Sequence, residues 1–132
     1  MKSEKIKKVL FADDDSNIRL IVRMSLEGLT DWTVLLASSG AEALRLIEAE
    51  KPDLLLLDVM MPDADGETVL EEMKMRLQEN SVPTIFITAK VQSQEISKYK
   101  ALGALGVIMK PFHPVKLATE IKQIVDSSAM QD

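Results

Sequence analysis

Asp58 follows directly on the apolar run Leu54-Leu55-Leu56-Leu57. A carboxylate there ends a buried strand at the carboxyl edge of a sheet, which is where open α/β sheets bind ligands. Two other runs end in the same way. Val9-Leu10-Phe11-Ala12 enters Asp13-Asp14-Asp15, and Val107-Ile108-Met109 enters Lys110-Pro111. If these strands lie side by side in parallel, several carboxylates and one lysine converge on one small pocket. Clustered carboxylates repel one another and any incoming anion, so the pocket suits a hard divalent cation together with a phosphoryl group.

Each feature alone has a plainer reading. An acidic run after a strand is usually a solvated turn or a helix cap. Asp15, at the start of the first helix, is read as a cap only, because negative charge is favoured there. Thr88 alone reads as a strand-end hydroxyl and Lys110 alone as a surface charge. Their order separates this chain from those readings. An acid pair follows the first strand, Asp58 the third, Thr88-Ala89 ends the fourth, and Lys110-Pro111 follows the fifth.

The elements that must position these residues alternate along the chain. The first strand is predicted over Lys7–Ala12. A helix follows from about Asn17, with Ile18, Ile21, Val22, Leu26 and Leu29 at helical spacing and Gly28 as its stop. Trp32–Ala37 reads as a strand. Ser39 with Glu42 forms a capping box that opens a helix to about Glu50. Pro52 closes that region, and Asp53–Leu57 is the third strand. A loop at 60–66, punctuated by Pro62 and Gly66, leads to a helix marked by Val69, Leu70, Met73 and Leu77. Thr84–Thr88 is the fourth strand, Gln92–Leu102 a weaker helix, and Val107–Met109 the fifth strand. Pro114 opens the last helix, with an apolar face of Leu117, Ala118, Ile121, Ile124 and Val125.

Five βα units with continuously apolar strands indicate an α/β fold, a doubly wound parallel sheet covered on both faces. With 132 residues one domain is expected over 1–132, its core over about 5–127 and a frayed tail beyond. The net charge of -5 argues against nucleic-acid binding by this chain alone. There is no cysteine, hence no disulfide and no thiolate metal site. The apolar run before Asp13 is too short for a signal peptide, and no stretch approaches the roughly 20 apolar residues of a membrane helix. The expectation is a soluble, cytoplasmic protein with no membrane partner.

The segments VLFADDDSNIR, DLLLLDVMMPDADG, PTIFITAK and GVIMKPF together resemble the receiver domain of bacterial two-component response regulators, from Lys5 to about Ser127. The resemblance implies a flavodoxin-like (βα)5 fold with strand order 2-1-3-4-5. It implies that Asp58 accepts a phosphoryl group from a histidine kinase or phosphotransfer protein. It also implies that Asp14 binds Mg²⁺ directly, Asp13 largely through water, and the Met60 backbone carbonyl as a further ligand. Thr88 would donate its hydroxyl to a phosphoryl oxygen, Lys110 would form a salt bridge to it, and Lys110-Pro111 would be cis. The fourth helix, fifth strand and last helix would form the face that meets an output partner, with Tyr99 on or near that surface.

The chain departs from the family pattern at Val107, where many members carry a Tyr or Phe that rotates on activation. Met60 and Lys90 occupy positions that influence loss of the phosphoryl group. A thioether cannot orient water well, so slow self-dephosphorylation is expected. His113 reads as a poor cap before Pro114, not as a relay histidine. Two other classes of function compete. A haloacid-dehalogenase-like phosphatase would use Asp13 and Asp15, but it leaves Asp58 unexplained and has Asn17 where a Thr is expected; turnover surviving Asp58→Asn would favour it. A phosphate-independent interaction module is suggested by Val107; equal target affinity with and without the phosphoryl group would favour it.

Overall fold

The computed structural model describes residues 1–130. Five strands form one parallel sheet in the order β2-β1-β3-β4-β5. They are β1 (Lys8–Ala12), β2 (Thr33–Ala37), β3 (Leu54–Leu57), β4 (Thr84–Thr88) and β5 (Gly106–Met109). Helices α1 (Ser16–Leu29), α2 (Gly40–Glu50), α3 (Gly66–Leu77), α4 (Ser93–Ala101) and α5 (Pro114–Met130) follow the strands in turn. This is the expected doubly wound, flavodoxin-like arrangement.

The apolar runs account for the two-faced core. All four residues of β3 are buried, as are all five of β4. Alternation along each strand sends side chains to opposite faces. Phe11, Leu56 and Ile87 meet Val22 and Leu26 of α1 and Leu117 and Ile121 of α5. Leu10, Leu57 and Phe86 meet Ile47 of α2, Leu70 of α3 and Tyr99 of α4. Burying an aliphatic or aromatic side chain of this size is worth roughly 1.5–3 kcal/mol, so both layers hold the sheet rigid beneath its carboxyl edge.

Helix starts follow their caps. Asp15 accepts from the backbone N–H of Asn17 and Ile18 at 2.9 and 3.3 Å, the role expected of it. Ser39 accepts from Glu42 N–H at 3.1 Å, while the Glu42 carboxylate reaches Ser38 N–H at 2.7 Å, one residue outside a strict capping box. Asp65 accepts from Thr68 N–H at 2.8 Å and starts α3 at Gly66.

Three expectations are corrected. Gly28 does not stop α1, which runs to Leu29; the N–H and Oγ1 of Thr30 both bond the Leu26 carbonyl, at 3.0 and 2.6 Å, and close the helix there. The tail expected to fray after Ser127 is helical to Met130, because α5 carries on past its last buried residue, Val125; the remainder of that predicted tail, 131–132, lies outside the described residues. Tyr99 is not on the surface but fully buried, since it is the one residue of α4 that faces the sheet.

Candidate functional site

Strand order places the chemistry. β1 and β3 are neighbours with Ala12 opposite Leu57, so Asp13 and Asp58 leave adjacent strands together; Asp58 N–H donates to the Ala12 carbonyl at 2.9 Å. β5 pairs with β4, Thr88 opposite Met109, and Lys110 N–H donates to the Thr88 carbonyl at 2.9 Å. The β1–β3 boundary is also where the connections reverse direction, the usual crevice in such sheets.

Three expected metal-site carboxylates converge. Asp13, Asp14 and Asp58 each offer an oxygen within 4.8 Å of the others. Asp13 and Asp58 are buried, with only 1% and 5% of their surface exposed, and Asp14 is exposed. This donor set is all oxygen, which fits a hard divalent cation better than a soft one. Met60 N–H donates to Asp58 Oδ1 at 3.3 Å, which sets the Met60 backbone against the same carboxylate; the Met60 side chain is exposed.

Lys110 Nζ lies 2.6 Å from Asp13 Oδ2 and 3.4 Å from Asp58 Oδ2. Burial raises the pKa of the Asp58 carboxyl, the Asp13 charge raises it further, and Lys110 and the Met60 N–H oppose them without cancelling them. Burial works against the Lys110 ammonium, but the bond to Asp13 and the charges of Asp13 and Asp58 outweigh it, so its pKa is raised. Thr88 is buried, and its Oγ1 accepts from Lys90 N–H at 3.0 Å, leaving the hydroxyl proton free for another acceptor. The Lys110-Pro111 bond is cis, as expected.

Several supporting residues went unread in the sequence. Gly66 does more than punctuate its loop: a Cβ there would lie 2.5 Å from the Asp58 carbonyl oxygen and 3.0 Å from Phe86. Asp63 accepts from the N–H groups of Gly40 and Ala41, both at 2.9 Å, pinning the 60–65 loop to the start of α2; those bonds hold its carboxyl below the usual range. Arg19 Nη1 donates to the Asp13 carbonyl at 2.7 Å. The Asp63 bonds bridge segments apart in sequence and the Arg19 bond crosses the β1–α1 turn, places where helix and strand periodicity carries no signal. The Gly66 contact had one signal: a glycine eight residues after the strand-end acid, opening a helix.

Comparison with known proteins gives one answer. A family model described as the response regulator receiver domain matches residues 9–122. The chain is 37% identical over 122 residues to the alkaline phosphatase synthesis transcriptional regulatory protein PhoP of Bacillus subtilis (strain 168), covering 92% of this chain and 50% of that protein. It is 36% identical over 118 residues to the probable transcriptional regulator ycf27 of Guillardia theta, covering 89% and 45%. It thus spans about half the length of these curated relatives. Among solved structures, the chemotaxis protein CheY4 of Vibrio cholerae superposes with a TM-score of 0.82 at 29% identity, over 90% of this chain and 98% of that one. A CheY-like receiver domain protein of Methanospirillum hungatei JF-1 gives 0.81 at 29% identity, over 97% and 100%.

Proposed function

The chain belongs to the response regulator receiver domain family of two-component signalling, and from that premise we propose that it is a phosphoacceptor switch in which Asp58 takes a phosphoryl group from a phosphohistidine. One observation supports this above the rest: a buried Asp58 carboxylate stands beside both Asp13 and Asp14 and 3.4 Å from a lysine ammonium. One oxygen of Asp58 attacks phosphorus, the P–N bond of the donor breaks, and the imidazole leaves with a proton. The product is an acyl phosphate on Asp58. In such transfers the protein contributes mainly position and charge.

Asp13, Asp14, Asp58 and the Met60 carbonyl are the proposed ligands of Mg²⁺. Bound there, the ion would neutralise the carboxylates and the incoming phosphoryl oxygens. Lys110 then exchanges its contact with Asp13 for a phosphoryl oxygen, and the Thr88 hydroxyl donates to another. The phosphoryl group brings roughly -1.5 to -2 charge and three strong acceptors, enough to redirect both side chains. The altered face is proposed to be α4-β5-α5, which controls an output partner or domain.

The donor is proposed to be a sensor histidine kinase or phosphotransfer protein, and the setting the cytoplasm. No helix among the described residues is long and apolar enough to cross a membrane. The net charge of -5 supports a protein partner, not nucleic acid, for this chain alone. Phosphoramidate, a small P–N donor, provides the test. With Mg²⁺, an acyl phosphate resonance should appear in the ³¹P spectrum of the wild type and not of Asp58→Asn. Its absence from folded wild type would contradict the reading.

A further inference from the structure

Val107 leaves β5 without a ring to report the state of Asp58. A ring is nevertheless present in the same half of the core. Tyr99 of α4 is fully buried, its centroid 5.0 Å from that of Phe86 with the planes at 52°, in the cluster against which Val107 also packs. Its phenol donates to the Lys90 carbonyl at 3.1 Å. At the other end of the same residue, Lys90 N–H donates to Thr88 Oγ1 at 3.0 Å. A single residue, Lys90, thus joins the hydroxyl of Thr88, proposed above to donate to a phosphoryl oxygen, to a buried side chain on α4.

We infer that Tyr99 is the coupling side chain of this receiver, reading the position of the Thr88–Lys90 turn through the Lys90 carbonyl and passing it to α4. The inference rests on the phosphoacceptor reading above and names its regulation. When the Thr88 hydroxyl shifts to donate to a phosphoryl oxygen, it still accepts from the Lys90 N–H and draws that turn with it. The Lys90 N–H follows to keep its bond to Thr88 Oγ1. Moving Lys90 carries its carbonyl away from Tyr99. A buried phenol keeps a partner where it can, so the ring and α4 follow too.

An unpartnered carboxylate oxygen lies on the same helix. Glu95 stands one turn earlier on the same face of α4, and its Oε2 is buried with no hydrogen-bond partner among the described residues. Burial, then the charges of Glu67 and Glu95, raise the pKa of the phenol. α4 is also lightly held. Gln92 supplies no side-chain cap, and Tyr99 is the only buried residue of the helix. A tie from Lys98 to Glu67 of α3 at 2.7 Å is largely solvated on the lysine side. Such elements move at the least free-energy cost.

Tyr99 is the only tyrosine in the chain, so 3-fluorotyrosine incorporation places one ¹⁹F reporter at this site. The full chain is treated with acetyl phosphate and Mg²⁺, with intact mass followed in parallel. A second ¹⁹F resonance should grow in proportion to the phosphorylated fraction and be missing from Asp58→Asn. Tyr99→Phe keeps the ring and removes only the hydroxyl. In that variant the change in α4 amide exchange on phosphorylation should fall to less than half that of the wild type. A single unmoved ¹⁹F line in protein whose mass shows the phosphoryl group would overturn the inference. So would a Tyr99→Phe variant whose α4 responds as the wild type does. A wild type that gains no mass at all contradicts the phosphoacceptor reading itself, and the coupling falls with it.

Discussion

The ammonium of Lys110 is closer to Asp13 than to Asp58, 2.6 Å against 3.4 Å. One lysine therefore serves two buried carboxylates and satisfies the first better than the second. Asp13 is further tied by Asp15 N–H at 2.9 Å, whereas Asp58 accepts only the longer bond from Met60 N–H at 3.3 Å. The less well matched carboxylate is the proposed nucleophile. This geometry keeps its charge costly until a cation or phosphoryl chemistry compensates it.

That cost should appear in stability. Asp58→Asn removes one buried negative charge and leaves Asp13 and Lys110 as a neutral pair. In EDTA at pH 7 the variant should be more stable than the wild type, on the order of 1 kcal/mol. Because folding raises the Asp58 pKa above 3.8, its favourable contribution is present at low pH and lost as pH rises through the folded value. The gap should thus be absent below about pH 3.8 and open above it. Added Mg²⁺ should stabilise the wild type more than the variant. Denaturant melts at several pH values measure all three; a variant less stable than wild type in EDTA at pH 7 would contradict the account.

Lys110→Ala strands two buried carboxylates. A loss of about 3 kcal/mol is expected in EDTA, the lower end for breaking a buried pair, with part of it restored by Mg²⁺. In the wild type the Lys110 contribution is complete below pH 10.5 and disappears as pH rises through its raised folded pKa. Thermal unfolding with and without Mg²⁺ checks this, and equal losses in both conditions would argue against a shared charge site.

Gly66→Ala should harm the site through the backbone. The new Cβ has only 2.5 Å to the Asp58 carbonyl oxygen and 3.0 Å to Phe86, so something must shift. Overpacking of this kind costs about 1–3 kcal/mol, and the shift carries Asp58 with it. Calorimetric Mg²⁺ titration should show weakened binding in a folded variant; unchanged affinity would mean that Gly66 matters for packing alone.

The lifetime of the phosphoryl group should depend on Met60. Its side chain is exposed, at 58% of its surface, beside Asp58, and its thioether is only a weak hydrogen-bond acceptor. Met60→Asn supplies a side chain that can orient an attacking water, and the phosphoryl half-life should shorten several-fold. Decay of the phosphorylated mass after donor removal gives the number. A longer half-life in the variant would be the opposite of what the site predicts.

How much of this was legible beforehand depended on whether the signal was local. Leu54–Leu57 and Thr84–Thr88 declared themselves, because an unbroken apolar run bounded by Pro or Asp has few other homes than a central parallel strand. Asp13, Asp58, Thr88 and Lys110 were legible from their places at strand ends; once the strand order is set, the edge gathers them. Gly28 misled because a glycine near a helix end usually marks its stop, whereas here the Thr30 hydroxyl competes successfully for the Leu26 carbonyl. Tyr99 misled for a different reason. The family resemblance makes α4 part of a signalling face and so puts Tyr99 on or near the surface, but a short helix resting on a sheet needs one large anchor, and Tyr99 is that anchor. Asp63 and Arg19 act across turns of chain that no periodicity links, so only the folded arrangement reveals them.

Everything proposed for this site depends on Asp58 receiving a phosphoryl group with help from a divalent cation. Intact mass after incubation with a small phosphodonor tests it most directly, on wild type and Asp58→Asn, each with Mg²⁺ and with EDTA. Wild type with Mg²⁺ should gain one phosphoryl group and the other three samples none. Folded wild type that gains nothing, or an Asp58→Asn variant that gains as much, would contradict it.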